Sequence, residues 1–289
     1  MVGVALLWST AGVVSRQLTQ ATGFEVTFWR SAFTVLALLV ILPAWQGRQV
    51  FARMPWRRRA LWLSGVCWAV MFTAFMVALT MTGVARVLVT MALGPLLTAL
   101  LARVVTGQRL PRRTWWAIAV AGCGMAYMFA GQLDAAAGMT EWAGSLVAFG
   151  VPMAAAINWT VVQRSQSHGE PVDLVPAVLL GAVISSLVTL PLALPFKASV
   201  ADLGWLGFLG AFQLAVPCVL AVLCARVLPP AEISLLALLE IIFGITLVWL
   251  IVGEAPGAQV LTGGTLVIGA LVANELLGWH GRSIASRSG

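Results

Sequence analysis

The sequence predicts an all-α membrane protein with ten transmembrane helices in two inverted five-helix repeats. Three observations carry that reading. The first is composition: of 289 residues, 61% are hydrophobic and 9% charged, and the mean hydropathy is +0.97. An ordinary soluble chain carries roughly 25% charged residues. So few charges cannot cover a water-facing surface, which leaves lipid as the solvent. The second is a series of ten apolar runs, each close to the ~20 residues that span a bilayer. The third is an internal repeat. Residues 85–110 (ARVLVTMALGPLLTALLARVVTGQRL) share their layout with residues 231–256: a short turn, a long apolar run, then a Gly-polar exit. At an offset of 146 positions Ala85 falls on Ala231, Leu93 on Leu239, Leu101 on Leu247 and Gly107 on Gly253. Five spans per half is an odd number, so the second half enters the membrane from the opposite side. Such duplication points to a transporter whose substrate path lies between the halves.

In chain order, the predicted spans of the first half are 2–18, 24–45, 60–79, 85–105 and 114–132. Those of the second are 142–164, 173–195, 203–225, 231–252 and 258–278. Residues 1–18 lack a basic n-region and a cleavage site, so they read as a spanning helix and not a signal peptide. Short loops make neighbouring helices antiparallel hairpins. The segment 131–141 (GQLDAAAGMTE) joins two repeat domains, 1–133 and 141–289. Pro191 and Pro195 read as a helix end. Gly122/Ala126 and Gly269/Ala273 fit the small-xxx-small pattern of closely packed helices, which makes the fifth and tenth spans scaffold or dimer contacts. The expected state is a monomer or weak homodimer.

The net charge is +7 and the pI ≈ 10.6. The basic residues lie between apolar runs, where they set topology and meet anionic lipid headgroups; no single-strand platform or nucleic-acid motif accompanies them. One set of alternate loops holds Arg48, Arg53, Arg57, Arg58, Arg59, Arg103, Arg109, Arg112, Arg113, Arg164, Arg226, Arg282 and Arg287. The other holds Arg16, Arg30, Arg86 and Lys197. The rich side is expected in the cytoplasm with both termini, and Asp134, Glu141 and Asp202 outside. Cys67, Cys123, Cys218 and Cys224 all lie in apolar runs and read as packing. His168 and His280 lie in hydrophilic segments, so no metal site is expected. Gly122-Cys123-Gly124 is not a nucleotide fingerprint, because position 127 is Tyr and no βαβ context surrounds it. No P-loop occurs, so no cofactor is expected and ATP is not the direct energy source. Both histidines lie outside the spans and Asp134, Asp173 and Asp202 sit at span ends, which argues against an intramembrane hydrolase; the expectation is a carrier and not an enzyme, with an intramembrane enzyme or a channel as the alternatives of a different class.

Polar residues deep in apolar spans mark candidate site positions. Glu240 is the one carboxylate near the middle of a span. It reads either as a substrate amine contact or proton carrier, or as a carboxyl that locks two helices together. Trp8, Ser9 and Thr10 in the first helix and Asn158 and Trp159 in the sixth occupy matching places in the two halves, where they can face each other across a substrate path. A Trp offers a flat apolar wall and one N–H donor to an aromatic ring or a cation. Trp45, Trp56, Trp62, Trp115, Trp116, Trp142, Trp205 and Trp279 lie near span ends and read as an interfacial belt. Pro95, Pro152 and Pro217 interrupt helices and free backbone carbonyls, which suits a cavity wall. Gln213, one turn before Pro217, shares that region. Arg30, five residues after Glu25, reads as snorkelling or a structural pair ahead of ligand binding.

An ordered set of segments resembles the drug/metabolite transporter superfamily, of the kind built from two EamA-type repeats. It comprises Leu6-Leu7-Trp8-Ser9, Phe28-Trp29-Arg30-Ser31, Ala78-Leu79, Leu93-Gly94-Pro95-Leu96-Leu97-Thr98-Ala99-Leu100, Gly107-Gln108-Arg109-Leu110, Leu238-Leu239-Glu240 and Gly253-Glu254. Two departures stand out: Gly-Gln-Arg replaces the usual Gly-Glu-Arg exit, and Glu240-Ile241 the usual Glu-Pro. Trp8-Ser9-Thr10-Ala11-Gly12, Asn158-Trp159 and the Cys- and Trp-containing third helix look most like the aromatic amino acid exporters of bacterial inner membranes. That resemblance implies export of aromatic and other apolar amino acids, with flat aromatic toxic cations as further cargo, by alternating access at a mid-membrane site.

Overall fold

The ten apolar runs fold as helices, three of them interrupted within the membrane. The computed structural model describes residues 1–15, 17–21, 23–82, 84–107, 110–130, 139–167, 172–253 and 257–285. The first half contains α1 (Val2–Ser15), α2 (Gly23–Gln46), α3 (Arg59–Met81), the broken pair α4 (Val84–Met91) and α5 (Gly94–Thr106), and α6 (Arg112–Phe129). The second contains α7 (Met139–Ser167), α8 (Pro176–Ala193), α9 (Val200–Phe208) running through a π-helical segment (Leu209–Ala215) into α10 (Val216–Ala225), the broken pair α11 (Pro230–Ala237) and α12 (Leu239–Val252), and α13 (Ala258–Ala285). Among the described residues, seven stretches are long and apolar enough to cross a bilayer, and α1 and Ala258–Asn274 of α13 are shorter apolar helices. With α6 they make ten spans of a multi-pass membrane protein. The joining residues 131–138, including Asp134, lie outside the described residues, as do Arg16, Arg109, His168, Glu254 and Arg287.

The two broken helices turn at equivalent positions of the repeat. Pro95 has no N–H to give the carbonyl of Met91, four residues back, so the chain turns at Ala92–Leu93 before α5 begins. The equivalent turn in the second half falls at Leu238, 146 positions on, although no proline stands there. Ile241, at the place of Pro95, donates to the carbonyl of Leu238, three residues back (3.1 Å). Both broken helices then end on a left-handed glycine, Gly107 (φ 68°) and Gly253 (φ 80°), a backbone region that favours a residue without Cβ. The third interruption is the π segment. The Pro217 ring opposes an ordinary bond to the carbonyl of Gln213, and the wider π turn just before it accommodates the mismatch. Pro152 and Pro191, by contrast, lie inside unbroken helices; α8 runs two residues past Pro191 to Ala193, and Pro195 alone stands beyond the helix.

The most extensive helix pairs all join one half to the other: α3 with α7 and α8, α6 with α13, α2 with α8, α1 with α12, and α5 with α7. The pairs come in symmetric couples, since α1 on α12 mirrors α7 on α5, and α2 on the π segment mirrors α8 on α3. Glycines permit the closest crossings. A Cβ on Gly181 of α8 would lie 2.3 Å from Trp68 Cβ, and one on Gly210 of the π segment 2.7 Å from the Arg30 carbonyl. At the α6–α13 crossing the close residues are Gly124 and Gly263, where a Cβ on Gly263 would lie 2.5 Å from the Gly124 carbonyl. Gly122 and Gly269 do not make this close approach. A Cβ on either would meet nothing within 4 Å, so both face away from the crossing.

Hydrogen bonds between helices supply further contacts, each worth roughly 0.6–2 kcal/mol in a membrane. Ser185 Oγ meets Ser31 Oγ (3.0 Å) and Thr73 Oγ1 (2.9 Å), tying α8 to α2 and α3. Thr34 donates to the Gly210 carbonyl (2.9 Å). At the end opposite the termini, Asp202 caps α9 with Ser199 and accepts from the backbone of Thr19 (2.9 Å) and Gln20 (3.2 Å). Fully buried Glu25 accepts from Lys197 and Ala198 backbone N–H groups at 2.8–3.0 Å. At the terminal end, Asp173 accepts from Gln46 Nε2 (2.8 Å) and pairs with Arg226. That end is also where the largest apolar cluster lies. It runs from Val4, Leu38, Leu42 and Met54 of the first half to Val162, Leu174, Val222 and Ile233 of the second.

Candidate functional site

The three interruptions meet at one partly open cavity of ≈ 190 Å³. Its wall takes Met91 and Gly94 from the first break, Ala237, Leu238 and Glu240 from the second, and Gln213 and Leu214 from the π segment. Drug-sized ligands occupy pockets of roughly 300–1,000 Å³, so this cavity suits a small organic solute. Among the described residues, none of α6, α8 or α13 lines it. Gly94 lets the break come close: a Cβ there would lie 3.2 Å from Ser234 Oγ on α11 and 3.7 Å from Pro152 on α7.

The lining is divided by chemistry. On α3, Trp68, Phe72 and Phe75 follow at i, i+4 and i+7, which is one helical face, and Trp159 of α7 joins them. The Trp68 and Trp159 rings meet edge to face, with centroids 5.6 Å apart and an interplanar angle of 84°. They also belong to the packed cluster of the terminal end, so they form the cavity floor on that side. The polar lining comes from α2, the π segment and α12, as Arg30, Gln213 and Glu240. Gln213 Nε2 donates to the Trp8 carbonyl (3.2 Å), while its Oε1 is buried without a partner.

Of the residues singled out from sequence, Trp8, Trp159, Gln213 and Glu240 come together on this wall. Ser9, Thr10, Pro95, Asn158 and Pro217 do not line it, each for a local reason. Ser9 and Thr10 turn their hydroxyls back to the carbonyls of Leu6 (2.6 Å) and Leu7 (2.7 Å), a common bond for such residues inside a helix. Asn158 is fully buried between α7 and α3, where its Oδ1 accepts from Ser64 Oγ (2.6 Å). Pro95 and Pro217 are buried and act through the backbone turns they create. Pro152 does line the cavity, from within an unbroken helix.

Arg30 requires the largest correction. Its carbonyl and guanidinium lie inside the protein, the residue is 6% exposed, and it lines the cavity; it neither snorkels nor pairs with Glu25. Five residues place the two side chains about 140° apart around a helix of 3.6 residues per turn, and Glu25 is taken by the backbone of residues 197–198. Trp68, Phe72 and Phe75 also escape the sequence reading, although their i, i+4, i+7 spacing is a usable signal. Of the tryptophans assigned to the belt, Trp45, Trp56, Trp62, Trp116, Trp142 and Trp205 are exposed and Trp115 is half-buried, while the Trp279 side chain lies outside the described residues.

Comparison with known proteins agrees with this architecture. The family model described as "EamA-like transporter family" matches residues 1–130 and again 142–274. One matching solved structure, titled "Crystal structure of protein", has a TM-score of 0.78 and 17% identity over 95% of this chain and 94% of that chain. At that identity the likeness concerns the fold. No curated protein matches the chain.

Proposed function

Because the chain belongs to the EamA-like transporter family, within the drug/metabolite transporter superfamily, we propose that this membrane transporter exports amino acids, aromatic and other apolar ones preferred, across the bacterial inner membrane. Both termini then face the cytoplasm, following the basic loops. The observation that supports the reading best is the cavity itself. It lies where the broken helices of both repeats meet, with an aromatic wall (Trp68, Phe72, Phe75, Trp159) beside a polar one (Gln213, Glu240). An apolar side chain packs on the rings, and the ammonium group meets Glu240. Alternate opening of the two halves carries the solute past the Trp68–Trp159 floor.

We read transport as facilitated and not proton-driven: Glu240, the one carboxylate among the described residues of the cavity wall, acts as a fixed polar contact, whereas an exchanger would have proton and substrate reach it in turn. A second reading, export of planar aromatic cations, is favoured by the rings of Trp8, Trp68 and Trp159 lining the same cavity as the Glu240 carboxylate. Counterflow in liposomes tests both. Labelled phenylalanine should accumulate transiently against unlabelled phenylalanine inside the vesicles, as a carrier requires and a channel does not produce. Counterflow with a planar aromatic cation but with no amino acid would replace the first reading by the second.

A further inference from the structure

We infer that Arg30 is the receptor for the substrate's carboxylate, so that the cavity selects zwitterions with a free carboxylate as well as a free ammonium group. This rests on the amino acid reading above and narrows it.

The argument begins with what Arg30 lacks. A guanidinium carries five N–H donors in a planar fork, and placing it in an apolar span is costly unless something compensates. Here the compensation within the protein is thin. Nη2 reaches the Phe72 carbonyl at the long distance of 3.5 Å, and Nε is buried with no partner. Glu240 shares the cavity with Arg30 and acts on it electrostatically, yet no ion pair within 4.0 Å joins the two among the described residues. The nearest carboxylate along the helix, Glu25, is committed to the backbone of residues 197–198. Arg30 therefore faces the cavity with donor capacity to spare and an anion on the same wall that it does not touch.

The backbone around Arg30 holds that position firmly. Thr34 Oγ1 lies 2.8 Å from its carbonyl and 2.9 Å from the Gly210 carbonyl and shares its one proton between them, which ties this turn of α2 to the π segment bearing Gln213. Arg30 and Gln213 are thus fixed relative to each other on the polar wall. That wall offers one guanidinium and one carboxyl group. A dianion such as a phosphate ester would gain Arg30 and face repulsion from Glu240. A simple amine would satisfy Glu240 and leave the Arg30 donors unpaired. A zwitterion satisfies both, its carboxylate at Arg30 and its ammonium at Glu240, with the side chain directed to the aromatic wall.

The test uses purified full-length protein in liposomes, with competition against labelled phenylalanine counterflow by phenylalanine, phenylalaninamide and 3-phenylpropionate. In wild type, both analogues should compete about ten- to a hundred-fold more weakly than phenylalanine, the scale of one lost charge-assisted contact. Arg30→Gln should bring phenylalanine down to the level of phenylalaninamide and leave phenylalaninamide itself unchanged. Arg30→Lys, which keeps the charge and loses the fork, should restore part of the preference. Equal competition by phenylalanine and its amide in wild type would overturn the assignment, and so would an Arg30→Gln variant that weakens both alike. The wild-type comparison decides the matter even if Arg30→Gln does not fold. Leucine and leucinamide separate this inference from the reading beneath it. Leucine counterflow that discriminates against the amide, with none for phenylalanine, would reject the aromatic preference and keep Arg30. Counterflow of no α-amino acid would reject both.

Discussion

Adding one methyl group at Gly181 should damage the cavity from a helix that does not line it. In Gly181→Ala the new Cβ would lie 2.3 Å from Trp68 Cβ, 3.0 Å from the Gly65 carbonyl and 3.1 Å from the Ala69 nitrogen. Carbon atoms pack at about 3.5–4.0 Å, so the shortfall against Trp68 is more than about 1 Å. None of the opposing atoms is the far end of a flexible side chain, and relief requires α3 and α8 to separate. Overpacking of this kind costs about 1–3 kcal/mol, against a helix-propensity gain of up to ~1 kcal/mol from replacing glycine. The net loss should lie near the upper part of that range, because backbone must move. Displaced Trp68 should also weaken its ring contact with Trp159, so phenylalanine affinity should fall several-fold together with thermal stability in detergent. Gly122→Ala and Gly269→Ala are the controls, since nothing lies within 4 Å of either added carbon; both should match or exceed wild-type stability. A Gly181→Ala protein as stable as these controls, with unchanged affinity, would refute the packing argument.

Three further outcomes are expected. Trp8→Ala and Trp159→Ala should each weaken transport of aromatic substrates several-fold more than that of small ones, on the scale of roughly 0.5–2 kcal/mol per ring contact; equal losses in paired counterflow assays would remove these rings from the site. Cysteine labelling should reach positions 57–59 only from the cytoplasmic side and position 134 only from outside, and the reverse pattern would invert the orientation. Glu240→Gln should change affinity or stability without altering any response to an imposed pH gradient, and uphill accumulation that follows the gradient in wild type and disappears in the variant would show proton coupling instead.

Much of the architecture is legible because lipid leaves a coarse imprint on sequence. Ten apolar runs, charged loops and the 146-residue offset from Leu93 to Leu239 suffice for spans and repeats. The break at Leu238 is harder, since no Gly or Pro marks it; only its place opposite Ala92 in the other half gives it away. The site is legible in part. Trp8, Trp159, Gln213 and Glu240 stand out as polar or aromatic residues at mid-span depth. Ser9, Thr10 and Asn158 stand out for the same reason and face elsewhere, because depth carries no information about which side of a helix a residue occupies. Arg30 misleads through the opposite error: proximity in sequence to Glu25 suggests a pair, whereas helical rotation separates them.

The interlocking of the halves bears on how the chain is made. When a ribosome has delivered α1 to α6, few of their eventual neighbours exist: α3 awaits α7 and α8, α6 awaits α13, and α1 awaits α12. The nascent first half must remain in the membrane as loosely held hairpins until the last helix, ending at Ala285, is inserted. Its inward polar groups, such as buried Ser31 and half-buried Thr73, meanwhile lack the Ser185 hydroxyl they later share. Chains that stop early should therefore be substrates for membrane proteases and not smaller working units. Two fragments divided between residues 131 and 138 and made together should assemble, because almost every contact that matters is made between them.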